Sequence, residues 1–229
     1  ILLFMALAWC AASAHALTAA EAQAIALGET DARIEALGKA VANADDRTVT
    51  FLQARAYGKP WVMLPVPLIG NQQHQCIAYN SERGVLSPKD IEGKRVGVRM
   101  YAQTTGMWVR GILQHEYGVD LGRVDWMTQE DAHLSEYQDP ANCHRLPAGT
   151  KIAQMLLAGE LDAAVLSRKD WPTDPRVRHL IPEPDAASRA WYTREGVIPI
   201  NHLFVIHEDL ARERKEVVRE IHRMLLESR

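Results

Sequence analysis

Two patterns of apolar spacing follow one another along the chain. Up to about residue 54 the spacing is helical. After an apolar run over residues 1–16, Thr18 with Glu21 reads as a capping box opening a helix over Ala19–Leu27, which Gly28 can end. Thr30 caps a second helix over Asp31–Ala42, with Ile34, Leu37 and Val41 on one face, and a third helical stretch passes through Val49 and Leu52. From Trp61 onward, short β-rich runs alternate with helical patterns. Trp61–Ile69, carrying Pro65 and Pro67, reads as an irregular edge strand or a strand entering a crossing segment, and Gln75–Tyr79 as a short strand. Ser87 and Pro88 open a single helical turn that Gly93 closes. Strands are expected at Arg95–Arg99, Val124–Thr128, Leu161–Leu166 and Leu203–Ile206. Helices are expected at Thr104–Tyr117, stopped by Gly118, at Thr150–Ala158, around Ala186–Glu195, and from Glu208 to the end as one charged amphipathic segment.

Such alternation predicts an α/β domain with a mostly parallel sheet flanked by helices. Composition sharpens the division. Residues 1–54 hold 17 alanines and no proline, whereas residues 55–229 hold all 11 prolines and 14 alanines. The organisation is therefore read as residues 1–16, 17–54 and 55–229. The first sixteen end in Ala14-His15-Ala16, the small-x-small pattern of a signal-peptidase site, and read as a secretory leader without its charged start; the competing reading is a buried N-terminal helix. Trp9 before Cys10 argues against lipidation there. After residue 17 the apolar stretches are only strand-length, which excludes a channel or permease.

A net charge of -3 at pH 7 gives no basic excess, so neither nucleic acid nor an anionic membrane surface is expected as partner. Three cysteines, at 10, 76 and 143, do not make a disulfide framework. Cys76 and Cys143 are open to two readings, one bridge or two buried free thiols.

The stretch LSPKDIEGKRVGVRMYAQTT (86–105) places a turn, a buried strand and then small polar residues at a helix start. The N–H groups of Thr104, Thr105 and Gly106 would point outward, with the helix dipole adding about half a positive charge. Thr104 capping its own helix explains the same residues. His133 and Glu136 stand at helical i, i+3 spacing after a strand, compatible with an acid–base pair, a divalent-metal site or a solvated loop. No third ligand is recognisable, so no metal site is assigned. Cys143-His144 lies in a loop pattern without a hydrolase nucleophile motif, and the run 212–216 mixes both charge signs as a solvated helix face does.

Two family resemblances emerge. LTAAEAQAIALGETDARIEALGKAVANADDRTVTFLQA (17–54) resembles the extracytoplasmic N-terminal region of urea ABC-transporter permeases of the branched-chain amino-acid type. KPWVMLPVPLIGNQQHQCIAYN (59–80), GKRVGVRMYAQTTGMWVRGILQHEYGVD (93–120), AGELDAAVL (158–166) and IPINHLFVI (198–206) resemble, in that order, the 4,5-dihydroxyphthalate decarboxylase family. That resemblance implies a type II periplasmic-binding-protein-like fold, α/β, with two lobes around a cleft and an incomplete first lobe. Relatives carry a further βαβ portion at the start and continue past the last helix, so residues 55–229 are expected to be truncated at both ends. A natural fusion and a joined reading frame explain the seam at Ala54/Arg55 equally.

The implied reaction, non-oxidative decarboxylation of a small aromatic carboxylate, needs an anchor for the spectator carboxylate and an acid that protonates the ring carbon. It needs no organic cofactor. Arg99, at the end of a strand, is the expected carboxylate clamp in preference to Arg110 on the following helix; the alternative for Arg99 is a surface arginine paired with an acid. Tyr101, Gln103, Thr104 and Thr105 complete the expected binding set, together with Asn201, His133 and Glu136. His202 and His74 are the candidate proton donors, because an imidazole titrates near 6.5. Each is also explained as a histidine bonded to a backbone carbonyl. A non-catalytic solute receptor of an ABC importer, docking on the transporter's membrane subunits, is the competing function, and an inactive chimeric fragment the third. A genuine leader would make the chain periplasmic; the body alone would be cytoplasmic.

Overall fold

The computed structural model describes residues 48–227. The leader reading, Cys10 and the two helices expected over 19–42 lie outside the described residues. Two compact units divide the described residues, one comprising 48–68 together with 202–227, the other Ile69–Asn201.

In the first unit, helix α1 (Thr48–Ala56) is followed by β1 (Trp61–Gly70). The compositional seam at residue 54 lies inside α1. β1 pairs with β8 (Ile200–His207) in a two-stranded sheet, and the boundary between units falls within these two strands. Leu64 and Val66 of β1 are buried while Met63, Pro65 and Pro67 are exposed. A two-stranded sheet leaves an edge free on each strand, where a proline's missing N–H costs no ladder bond. The apolar face is covered by α6 (Lys215–Glu227), whose Val217, Ile221 and Leu225 form one stripe against Leu64, Val66, Phe204 and Ile206. Each of these side chains contributes about 1.5–3 kcal/mol on full burial. One long terminal helix was expected. Instead a short α5 (Glu208–Glu213) precedes α6, with the break at Arg214. Residues 212–216 are all charged, so this turn has no apolar side chain to anchor a continuous helix.

The 69–201 unit is built on a six-stranded sheet in the order β5-β4-β3-β6-β2-β7. Its strands are β2 (Ile77–Asn80), β3 (Arg95–Val98), β4 (Asp125–Thr128), β5 (Cys143–Arg145), β6 (Ala163–Val165) and β7 (Val177–His179). β3 pairs in parallel with both β4 and β6, and β4 with β5, whereas β2 is antiparallel to β6 and β7. Only β2 therefore runs against the rest. Alternate residues face opposite layers. Val96 and Val98 meet Val109, Ile112 and Leu113 of α2 (Thr104–Tyr117). On the other face Ala78 and Ala164 meet Ile152 and Leu156 of α3 (Ile152–Ala158). Gly97 sits where that second layer presses closest: a Cβ there would stand 2.6 Å from Leu161 Cδ1 and 2.8 Å from Ile152 Cγ2. The expected stop of α2 is present as Gly118 in a left-handed C-cap.

Several elements differ from the sequence expectation. Gln75–Tyr79 begins as a 3-10 turn over His74–Cys76 before β2 starts. β5, read from sequence as loop, is a three-residue edge strand without apolar alternation, and β7 is equally short with only Val177 buried. A last helix of this unit, α4, spans Pro184–Glu195.

Candidate functional site

α2 begins where β3 ends, at the edge of parallel strands where open α/β sheets present their ligand-binding loops. Its N-cap is Gln103, whose side chain makes no capping hydrogen bond; Thr104 is inside the helix and buried. The N-cap position itself is thus one residue earlier than the Thr104 expected there. The first-turn N–H groups of a helix have no intrahelical acceptor and carry the positive end of the helix dipole.

A chain of buried amides leads to this turn. Gln73 Nε2 donates to Asn201 Oδ1 and to the Asn71 carbonyl, both at 2.8 Å. Asn201 Nδ2 in turn donates to Thr105 Oγ1 at 3.2 Å. Trp108 Nε1 donates to the Ile200 carbonyl at 3.1 Å, tying the next turn of α2 to the same segment. Two of the expected residues, Thr105 and Asn201, are thus joined directly. Gln73 was not anticipated. It sits in the polar run Asn71-Gln72-Gln73-His74-Gln75, which gives no sign of which glutamine turns inward.

Tyr101, also expected here, is half-buried and meets Trp126 edge-on, with ring centroids 6.0 Å apart. The Arg110 guanidinium lies 3.8 Å over the Tyr101 ring, and its Nη2 donates to the Tyr101 carbonyl at 2.8 Å. Arg110 is 8% exposed. Arg99 is placed differently: half-exposed, with Nε 3.5 Å from Glu130 Oε2, and its carbonyl accepting from the N–H groups of Gln129 and Glu130.

The two histidines occupy unlike settings. His74 is 1% exposed, its Nδ1 has no hydrogen-bond partner, and its ring meets Trp191 edge-on at 6.0 Å. Burial lowers its pKa below the ordinary imidazole value, with Glu116 opposing that shift and Arg194 adding to it, so the ring is neutral at pH 7. His202 is half-buried in β8 and belongs to the other unit.

His133 and Glu136 do not share a helix face. Both are exposed in the irregular segment between β4 and β5, because residues 130–136 carry few apolar side chains that a helix could bury. Among the described residues no three His, Cys, Asp or Glu side chains are grouped to hold a metal ion. Cys76 and Cys143 are free thiols, which burial pushes up to about 11 and about 12 respectively, so neither is a ready nucleophile.

Comparison with known proteins gives two curated relatives. Over 170 residues, 67% of this chain, it is 29% identical to the 4,5-dihydroxyphthalate decarboxylase of Comamonas testosteroni, covering 50% of that protein. Over 143 residues, 58% of the chain, it is 30% identical to the 4,5-dihydroxyphthalate decarboxylase of Pseudomonas putida, covering 55%. The chain spans about half the length of the curated relatives it matches. No family model matches. Among solved structures, the periplasmic aliphatic sulphonate binding protein SsuA of Escherichia coli gives a TM-score of 0.41 at 15% identity, covering 73% of this chain and 48% of that one. A protein of Archaeoglobus fulgidus gives 0.47 at 16%, covering 97% and 71%.

Proposed function

We propose that this chain is a 4,5-dihydroxyphthalate decarboxylase-like protein that binds a small aromatic carboxylate at the start of α2 and removes a carboxyl group without oxidation. The observation that carries this reading is its similarity, at about 30% identity, to two decarboxylases of that name. The buried Gln73–Asn201–Thr105 chain supports it, because it fixes the first turn of α2 as a rigid donor surface for a carboxylate.

In the reaction the bond between ring and departing carboxyl carbon breaks, its electron pair stays on the ring carbon, and carbon dioxide leaves. A proton donor then completes the new C–H bond. The candidate donors are His202 and His74, of which His74 is neutral and enclosed at pH 7. Replacing His202 with Gln should lower turnover far more than affinity; equal losses would make it a positioning residue.

A proton NMR time course of 4,5-dihydroxyphthalate with the 229-residue chain tests the reading. Growth of protocatechuate signals in proportion to protein supports the lyase. Ligand lines that broaden without conversion favour the receptor reading, in which the leader directs the chain to the periplasm and to transporter membrane subunits. Unchanged lines contradict both for this ligand.

A further inference from the structure

The guanidinium of Arg110 is buried beside the first turn of α2 with one arm unused. Nη2 is satisfied by the Tyr101 carbonyl, but Nη1 has no hydrogen-bond partner. That arm stands 3.2 Å from where a Cβ on Gly106 would lie, so the absence of a side chain at Gly106 is what admits the charge to the helix start. Helical side chains slant toward the N-terminus, which brings residue 110 over residue 106.

Among the described residues no hydrogen-bonded ion pair cancels the charge. Tyr101 and Trp126 offer ring faces at 3.8 and 5.5 Å. Tyr101 and Tyr137 are phenols with raised pKa, the latter pushed up to about 12 by burial, and the Cys143 thiol is likewise protonated. Asp139 is the one carboxylate whose field reaches Arg110, yet it forms no ion pair with it, and its Oδ1 is itself buried without a partner. A buried cation and the positive end of a fourteen-residue helix therefore coincide, in surroundings that screen charge poorly. A lone buried charge is costly unless something neutralises it.

We propose that Arg110 is the charge-selecting positioning residue of the α2 site, favouring an oxyanion, here a carboxylate, through the first helical turn without having to touch it. The proposal rests on the reading that a carboxylate binds at this turn, and adds the residue that discriminates charge.

The test uses the full chain, Arg110→Met and Arg110→Lys, titrated with 4,5-dihydroxyphthalate and with its neutral dimethyl ester. Arg110→Met should weaken the dianion by about ten-fold or more and the ester by less than about two-fold, and Arg110→Lys should recover most of the loss. Arg110→Gln, which keeps a donor for the Tyr101 carbonyl, replaces the Met variant should that one not fold. Equal weakening of both ligands, or no weakening of the dianion, would overturn the proposal. If the parent chain takes up neither ligand, the aromatic-carboxylate reading falls, and sulfate then decides on Arg110. A rise in melting temperature with sulfate over chloride at matched ionic strength, in the parent and Arg110→Lys but not Arg110→Met, supports it; the same rise in all three overturns it.

Discussion

Two connections leave the same edge of the sheet, and they are built on opposite principles. The one after β3 is five residues long, enters α2, and is held from beneath by buried polar groups: Arg110 on the Tyr101 carbonyl, and Gln73 on Asn201, which in turn donates to Thr105. The one after β4 is fourteen residues long and combines two ion pairs, Arg99 with Glu130 and Arg145 with Asp131, the latter carboxylate 94% exposed, with hydrogen bonds confined to its ends, from the Gln129 and Glu130 N–H groups to the Arg99 carbonyl and from Asn142 Nδ2 to the Leu121 and Val124 carbonyls. Charges that water already solvates hold a loop weakly, whereas buried amides lose their partners at the full cost of desolvation. The first connection is thus the more firmly held of the two, as the proposed carboxylate site at the start of α2 requires.

The sharpest way to break this contrast is Asn201→Leu, which leaves Gln73 and Thr105 without a shared partner. It should cost about 1–3 kcal/mol in urea unfolding and weaken carboxylate binding; unchanged stability would show the amide chain to be ornamental. Gly106→Ala comes next. A methyl there would stand 3.1 Å from Val98 Cγ2 and 3.2 Å from Arg110 Nη1. Crowding should outweigh the roughly 1 kcal/mol that alanine normally gains in a helix, for a net loss of about 1 kcal/mol. A more stable variant would mean that Arg110 moves aside freely.

A third test uses pH. Burial depresses the pKa of His74 in the folded state, so below about 6.5 the unfolded chain binds a proton that the folded chain refuses. Stability held near neutrality should therefore be lost on acidification from about 6.5 down to the lowered folded value. The urea midpoint of the parent should fall more between pH 7.5 and 5.5 than that of His74→Gln, and equal falls would remove His74 as the cause. The smallest effect belongs to the β4 connection: Arg99→Ala should change stability by less than about 0.5 kcal/mol, its ion pair being half-exposed. A carboxylate affinity lost in Arg99→Lys as fully as in Arg110→Met would return the clamp to Arg99, where the sequence first placed it.

How much of this was readable from residues alone depended on the range of the interaction. The limits of α2 follow from local facts, the spacing of Val109, Ile112 and Leu113 and the left-handed Gly118, and the structure repeats them residue for residue. Thr105 and Asn201 were named, but their hydrogen bond spans 96 positions and the one between Gln73 and Asn201 spans 128, beyond any local pattern. Sequence favours Arg99 over Arg110 because a strand end outranks a helix interior as a ligand position. What makes room for the buried Arg110 guanidinium is Gly106 four residues earlier, a vacancy on the helix face into which an arginine can fold back. The helix face that His133 and Glu136 would share is absent for the converse reason. Their spacing fits a helix face, but spacing alone does not make a helix without apolar residues to bury.

The start of α2 as the carboxylate site is tested most directly by following backbone amides in nitrogen–proton correlation spectra during titration with 4,5-dihydroxyphthalate. Saturable shifts should concentrate on Thr105 and Gly106. Shifts confined to Arg99 and residues 129–136, with Thr105 and Gly106 unmoved at saturation, would contradict that assignment.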